Sequence, residues 1–448
     1  MDVLDRIILE ANQNKEYKYD EYKKNEVEEV EITTISLQES GTKIINPVAV
    51  VSAGGGEDML QPLIDATQGC DMLCAFYPGD NIDFIKKLDT SNVMSMYAMF
   101  CDCPSLTTIP LLDTSNVMRM DEMFAGCTSL TSIPQMDTGK VMNMYAMFCY
   151  CESLTTIPPL DTSNVTRMDE MFVGCTSLTS IPQMDTGKVT DMTIMFGYCP
   201  ALTTIPLLDT SNVMSMVEMF AGCTALTTIP PLDTSNVTSM DYMFNGCNAL
   251  TTIPPLDTGN VTSMYYMFKG CNALTTISLL DTSNVTRMDE MFNGCTSLTS
   301  IPQMDTGKVT NMYYMFNGCT ALTTIPLLDT GNVTNMYNIF KGCNALTNLT
   351  MLNIKTKLQI GSGTSWGHLL TVDSLINTIR ELIDCNESLT LTMGDANLNK
   401  IANVYVKLTN EPEVDETLPK LPFVVCESTD EGAMTIADYA QLKQWTLA

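Results

Sequence analysis

One histidine, His368, and two tryptophans are all the chain has of those types in 448 residues. A lone imidazole cannot build a histidine-rich metal site. No GxSxG, HExxH or phosphate-cradling glycine loop stands elsewhere to supply catalytic machinery. His368 sits beside Trp366 in GTSWGHLL and reads as a surface or capping pair. Basic residues are scarce too, 23 Lys and Arg against 52 Asp and Glu, for a formal charge of −29. Nucleic acid and anionic lipid would be repelled by such a surface. No run approaches the roughly 18 apolar residues that span a bilayer. The opening MDVLDRIILEANQNKEYKYDEYKKNEVEEVEI carries acids where a secretory leader needs bases, with no small-residue cleavage site and no lipidation motif. The expectations are therefore a non-enzyme with no cofactor, no metal, no nucleic-acid partner and no membrane insertion.

What the chain does have is a unit of 24 residues, roughly L-D-T-S-N-V-T-x-M-x-x-M-F-x-G-C-x-A-L-T-T-I-P-x, repeated eleven times without insertion or deletion. Its aspartates run from Asp89 through Asp113 and onward to Asp329. A fixed period of this size means a solenoid whose coils bury their core only against neighbours. Positions are counted below from each Asp as zero. Val at +4, Met at +7, Met or Ile at +10, Phe at +11 and Cys at +14 recur in every copy. Steps of three and four place them on one face of a short helix. Ser, Thr, Asn or Gly before Val would serve as N-cap, and Gly at +13 as C-cap. The following L-T-T-I reads as an extended segment that Pro at +21 ends. The expected fold is α/β, with one short parallel strand and one short helix per coil. At about 4.8 Å per coil the rod is roughly 50 Å long.

Eleven of the 17 cysteines share position +14, from Cys103 to Cys343. Stacked thiols with parallel Cβ vectors suit a buried file better than disulfides. The Asp file is expected to cap its own D-T-S-N turn; calcium along the acidic column is the alternative. Thr at +18 and +19 hints at an ice-binding array, but strand alternation would turn only one of the pair outward.

The ends break the pattern. Residues 65–88 keep the register in worn form, with Asp65, Met72, Phe76, Ile85 and Leu88 at repeat positions. Residues 1–64 are expected to hold a charged helix (about 4–24) and two strand-like runs, as an attachment or capping segment. The solenoid spans 65–352. Residues 353–448 form a C-terminal cap or small α+β segment, with a helix in TVDSLINTIRELID, a strand in SLTLTMG and a helix near TIADYAQLKQW.

On helical geometry, +5, +9 and +12 face away from the core, flanked by +6 and +8. Met94, Ala98, Cys101, Met142, Ala146, Cys149 and Ile194 then form an exposed apolar patch that another segment or subunit should cover. Tyr242, Tyr265, Tyr266, Tyr313, Tyr314 and Tyr337 form a stripe that is the candidate binding surface. Three R-M-D-E-M coils are each followed by a D-T-G-K-V coil, so Lys140, Lys188 and Lys308 are expected to pair with acids of the preceding coil.

The stretch D-T-S-N-V-T-x-M-x-x-M-F-x-G-C-x-A-L-T, present in every copy over 89–352, resembles the BspA-like branch of leucine-rich repeats found in bacterial surface proteins. That resemblance implies a non-enzymatic module exposed on a bacterial cell, recognising protein or glycan ligands. The ending SLTLTMGDANLNKI … YAQLKQWTLA also resembles tails attached to such repeats in gut-bacterial and prophage-encoded proteins. The leader expected of the family is not seen, which favours the alternative of a phage virion component docking to neighbouring virion subunits through its terminal segments.

Overall fold

Around each coil roughly every third residue is buried. In the coil that begins at Asp233 these are Thr234, Val237, Met240, Met243, Phe244, Cys247, Leu250, Ile253 and Leu256, none more than 8% exposed. The computed structural model describes residues 35–36, 43–44, 89–354, 356, 358–359, 370–380, 389–392, 395–408, 423–426, 428–430, 433–442 and 445–447. All belong to one compact unit, Thr34–Ala448.

The expected helix over +4 to +14 is not there; a ribbon of overlapping turns takes its place. Alternate backbone N–H groups divide between two kinds of partner. Within the Asp113 coil, Met123 N donates to Met120 O (3.2 Å), Ala125 N to Glu122 O (3.0 Å) and Cys127 N to Phe124 O (3.0 Å). The intervening N–H groups of Met120, Glu122, Phe124 and Gly126 donate to Asn143, Tyr145, Met147 and Cys149 of the next coil, at 2.8–3.1 Å. An α-helix would spend every N–H inside the coil. The ribbon satisfies each donor while stitching coil to coil, as the accounting of buried backbone groups requires. Its corners need a left-handed residue at +9 and again at +13, where φ falls between 49° and 80°. The eight Gly at +13 are thus turn corners rather than helix caps.

The expected parallel ladder through L-T-T-I is also displaced. Isolated parallel bridges run along +6, from Ser95 with Arg119 to Asn311 with Asn335. The L-T-T-I segment contributes single bonds such as Thr347 N to Thr323 O (2.9 Å). Regular strands among the coils occur at β3 (Leu328–Asp329) and β4 (Met351–Leu352), paired in parallel. Burial at every third residue leaves both threonines of the pair exposed, Thr251 and Thr252 for example. The expectation that one would turn inward is corrected.

The core is a set of straight files. Successive rings from Phe100 to Phe340 stack with centroids 5.5–5.8 Å apart and planes within 9° of parallel. Burying each ring contributes roughly 1.5–3 kcal/mol. From Cys127 onward each +14 thiol donates to the +11 carbonyl of the coil before, Cys127 to Phe100 O and Cys343 to Phe316 O among them, at 3.0–3.2 Å. The ten +14 cysteines from Cys127 to Cys343 are free thiols, as the buried-file reading expects.

The Asp file behaves as its turn chemistry predicts. In all eleven coils one carboxylate oxygen accepts the N–H of residue +2, at 2.9–3.1 Å. Asn at +3 donates to the +2 carbonyl one coil back, as Asn236 does to Ser211 O (2.8 Å). Lys140, Lys188 and Lys308 make their hydrogen bonds to amides rather than acids: each ammonium bonds Asn116, Asn164 or Asn284 Oδ1 of the preceding coil, at 2.7–2.9 Å, and Lys308 adds a small electrostatic pull on Asp281. The correction follows from register, since the lysine occupies +3 and stacks on the +3 asparagine.

The register outlasts the motif. Asn353, one period beyond Asp329, donates its side chain to the Asp329 carboxylate (2.9 Å). Leu370 is buried in the same core, and Thr371 N bonds Thr347 O (2.9 Å). Thr371 then caps α1 (Val372–Arg380), its Oγ1 accepting Ser374 N. Leu375, Ile376 and Ile379 of α1 extend the core. Beyond it lie β5 (Leu358–Gln359), β6 (Leu389–Thr392), α2 (Asp395–Ile401), β7 (Tyr405–Leu408), β8 (Phe423–Cys426), β9 (Met434–Thr435), α3 (Ile436–Leu442) and β10 (Trp445–Leu447). They make a parallel sheet in the order β10-β6-β5 and an antiparallel one in the order β8-β7-β9. At the other end, β1 (Ile35–Ser36) pairs antiparallel with β2 (Lys43–Ile44). The expected helix near 4–24 and the worn coil 65–88 lie outside the described residues. Among the described residues no helix is long and apolar enough to cross a membrane, and no group of three or more metal-ligating side chains converges.

Candidate recognition surface

The outer side of the turn ribbon carries positions +6, +8, +9 and +12, and here the coils differ most. Ala98, Ala146 and Cys149 are only 2–3% exposed, which corrects the expectation that they face solvent. Ala146 and Cys149 join Val173 in a second small apolar cluster, against which Ala125, Tyr145, Tyr150 and Ile194 pack. Cys101 is half-buried. Met94 and Met142, at +5, are exposed, so the expected cover is not supplied by the described residues of this chain.

The six candidate tyrosines fall into two groups. Tyr242 stacks on Tyr266 at 4.8 Å, and Tyr265 meets both edge-on at 5.0 and 4.0 Å. Tyr313 and Tyr337 lie 6.0 Å apart with planes 17° from parallel, and Tyr314 tilts against each. Tyr242, Tyr266 and Tyr314 occupy the left-handed corner, with φ of 58°, 59° and 52°. A bulky residue there costs roughly 1–2 kcal/mol relative to glycine.

Between the groups lies the charged coil that begins at Asp281. Arg287 forks onto Asp289 (3.1 and 3.3 Å) and lies 4.4 Å from the Tyr265 centroid. Glu290 accepts bonds from the Tyr266 hydroxyl (2.5 Å), Lys269 (2.8 Å) and Asn293 (2.7 Å). Burial opposes ionisation of Glu290, but those donors outweigh it and hold its carboxyl below the usual range. Burial, then the bond to Glu290, pushes the Tyr266 phenol upward. In the other group Asn338 donates to the Tyr314 hydroxyl (2.8 Å).

The same clamp recurs toward the N-terminus. Arg119 and Arg167 fork onto Asp121 and Asp169 (2.7–3.1 Å) and cover Tyr97 and Tyr145 at 5.0 and 4.9 Å. Beside the first clamp Glu122 is pushed up to about 7, by burial first and then by the Asp121 carboxylate. The clamp was missed in the sequence, although its signal was there: each R-M-D-E coil follows a coil with Tyr at +8.

Five overlapping segments, residues 70–179, 129–228, 154–254, 202–298 and 263–359, match the family model described as Mycoplasma protein of unknown function, DUF285. The comparison with curated proteins gives no match. Among solved structures the chain is similar to a leucine-rich repeat protein from Bacteroides ovatus, at 21% identity over 62% of this chain and 76% of that one, with a TM-score of 0.42. It is also similar to a leucine rich cell surface protein from Faecalibacterium prausnitzii, at 22% identity over 61% and 84%, with a TM-score of 0.35. A leucine-rich repeat protein from Eubacterium ventriosum matches at 20% identity over 63% and 89%, with a TM-score of 0.35.

Proposed function

This chain belongs to the family described as Mycoplasma protein of unknown function, DUF285, and we propose that it is a non-enzymatic recognition scaffold. Its working surface is the tyrosine-rich ribbon between Tyr242 and Tyr337, presented to a protein or glycan ligand outside the cell. The flanking segments 1–64 and 353–448 serve as attachment and cap for the solenoid 65–352.

One observation carries the reading. Six tyrosines gather on the ribbon over five consecutive coils, and each ring meets at least one other. Tyrosine supplies rigid amphipathic contact area at low entropic cost. No comparable aromatic group stands on the L-T-T-I wall, whose exposed residues are mostly threonine.

The test is a binding survey of the full chain on immobilised extracellular-matrix proteins and glycans. The Tyr266→Ser/Tyr314→Ser double variant is run beside it. Recognition through this surface predicts at least a tenfold loss of affinity, about 1.4 kcal/mol. A ligand held with unchanged affinity by the double variant would retire the proposal.

A further inference from the structure

We infer that the tyrosine stack at the C-terminal end of the ribbon, Tyr313 and Tyr337, is a carbohydrate subsite that takes a pyranose ring of a neutral glycan. The inference rests on the proposed recognition function and narrows it to one ligand class and one place.

The geometry is that of a short open stack. Tyr313 and Tyr337 occupy +8 in adjacent coils, nearly parallel at 6.0 Å. Tyr337 is 58% exposed, the most open tyrosine of the six candidates. Other rings on the ribbon are engaged. Arg287 covers Tyr265, and Lys269 lies 4.0 Å from the Tyr266 centroid. A flat, ring-shaped ligand can lie against the exposed Tyr337 ring.

The surroundings choose the chemistry. Asn311 and Asn335 spend their side-chain oxygens on the N–H groups of Tyr313 and Tyr337, both at 3.1 Å. This aims each amide in a fixed direction and leaves its NH2 to donate to a hydroxyl. Exposed Lys341 follows four residues after Tyr337. A rigid aromatic face bordered by oriented amide donors matches a sugar, which is apolar on its C–H face and hydroxylated around its rim. A protein partner would need about 800 Å² of complementary surface on this side. Two rings with a polar border offer a patch suited to a smaller ligand. The formal charge of −29 disfavours a polyanionic glycan, hence the neutral class.

The experiment is affinity electrophoresis of the full chain in gels containing dextran, yeast mannan, xyloglucan or mixed-linkage β-glucan. Retardation by at least one is expected. Tyr337→Ala should weaken it at least tenfold, and Tyr337→Phe, which keeps the ring, should retain it. Leu111→Ala, far along the solenoid, should behave as wild type. Retardation by none of the four overturns the inference, and so does retardation undiminished by Tyr337→Ala. If the survey instead finds a protein ligand that depends on Tyr266 and Tyr314 while no polysaccharide binds, the recognition function stands and the carbohydrate subsite falls. If neither ligand class binds, both fall.

Discussion

At the scale of single residues the backbone sets the terms and the side chains adapt. Position +13 must be left-handed in every coil, and eight coils meet the need with glycine. An alanine Cβ at Gly246 would meet nothing nearer than 3.7 Å, so Gly246→Ala should cost only the conformational penalty, about 1 kcal/mol. At Gly174 the same atom would fall 2.6 Å from the Tyr150 ring, so Gly174→Ala should cost more. Urea midpoints of the two variants give the order, and equal costs would contradict it. Glu122 makes a pH prediction of definite sign. Its folded pKa, about 7, lies above the unfolded value of 4.5. The stability tied to its protonated form is therefore fully present below pH 4.5 and lost as pH rises through 7. Glu122→Gln should stabilise the protein at pH 8, by an amount of order 1 kcal/mol for a partly solvated group, and do little at pH 4.5. The Asp turns act in the opposite sense. Side-chain and backbone bonds from residue +2 lower the carboxyls of Asp161, Asp209 and Asp233. Their contribution is present above the usual carboxylate range and disappears as pH falls through the lowered values.

At the scale of the element, the inward residues were legible and the backbone joining them was not. Val, Met, Met, Phe and Cys at +4, +7, +10, +11 and +14 are fully buried in the Asp233 coil, as their spacing demanded. Steps of three and four, however, fit a helix and a ribbon of three-residue turns equally well. The deciding clue lay outside that stretch. Leu at +17, Ile at +20 and Leu or Met at +23 keep the interval of three where a strand would alternate by two. A spacing of three maintained around most of the coil belongs to neither regular element. The six tyrosines lie in ring contact on the ribbon, while the exposure of Ala98 and Ala146 was misjudged. The thiol file gives the element its own test. Cys223 donates to Phe196 O at 3.0 Å from a fully buried position, and burial pushes its thiol up to about 12. Cys223→Ser can keep that bond and should cost no more than about 1 kcal/mol. Cys223→Ala leaves the carbonyl without its donor and a void behind it, and should cost about 1–3 kcal/mol. In the folded protein the +14 thiols should stay unreactive toward a disulfide reagent and become reactive only on unfolding. Rapid native labelling of that file would overturn the packing described.

At the scale of the molecule, stability in a solenoid is close to a sum of coil and nearest-neighbour terms. The strict period makes that sum testable by excision. Removing residues 137–184 takes out two whole coils and joins Met136 to Asp185. The coil that begins at Asp113 has the same R-M-D-E stretch as the one that begins at Asp161, so the Asp185 coil meets nearly the neighbour it had. The shortened chain should fold, with a smaller urea m-value because less surface is exposed on unfolding. Removing only 137–148 breaks the coil register and should leave the chain unfolded or aggregated. The Arg287 clamp then reports whether coupling is local. Arg287→Ala gives up the contact with Tyr265 and leaves the Asp289 carboxylate, with its side chain 7% exposed, short of its partner. The expected cost is about 2 kcal/mol, from roughly 0.5–1 for the cation over the ring and 1–3 for the stranded group. Coils 137–184 do not touch this clamp, so the cost should be the same in the full and the shortened chain to within about 0.5 kcal/mol. Urea titration of the four proteins closes that cycle. A coupling energy well above that margin would mean that strain travels along the rod, and the nearest-neighbour description would have to be abandoned.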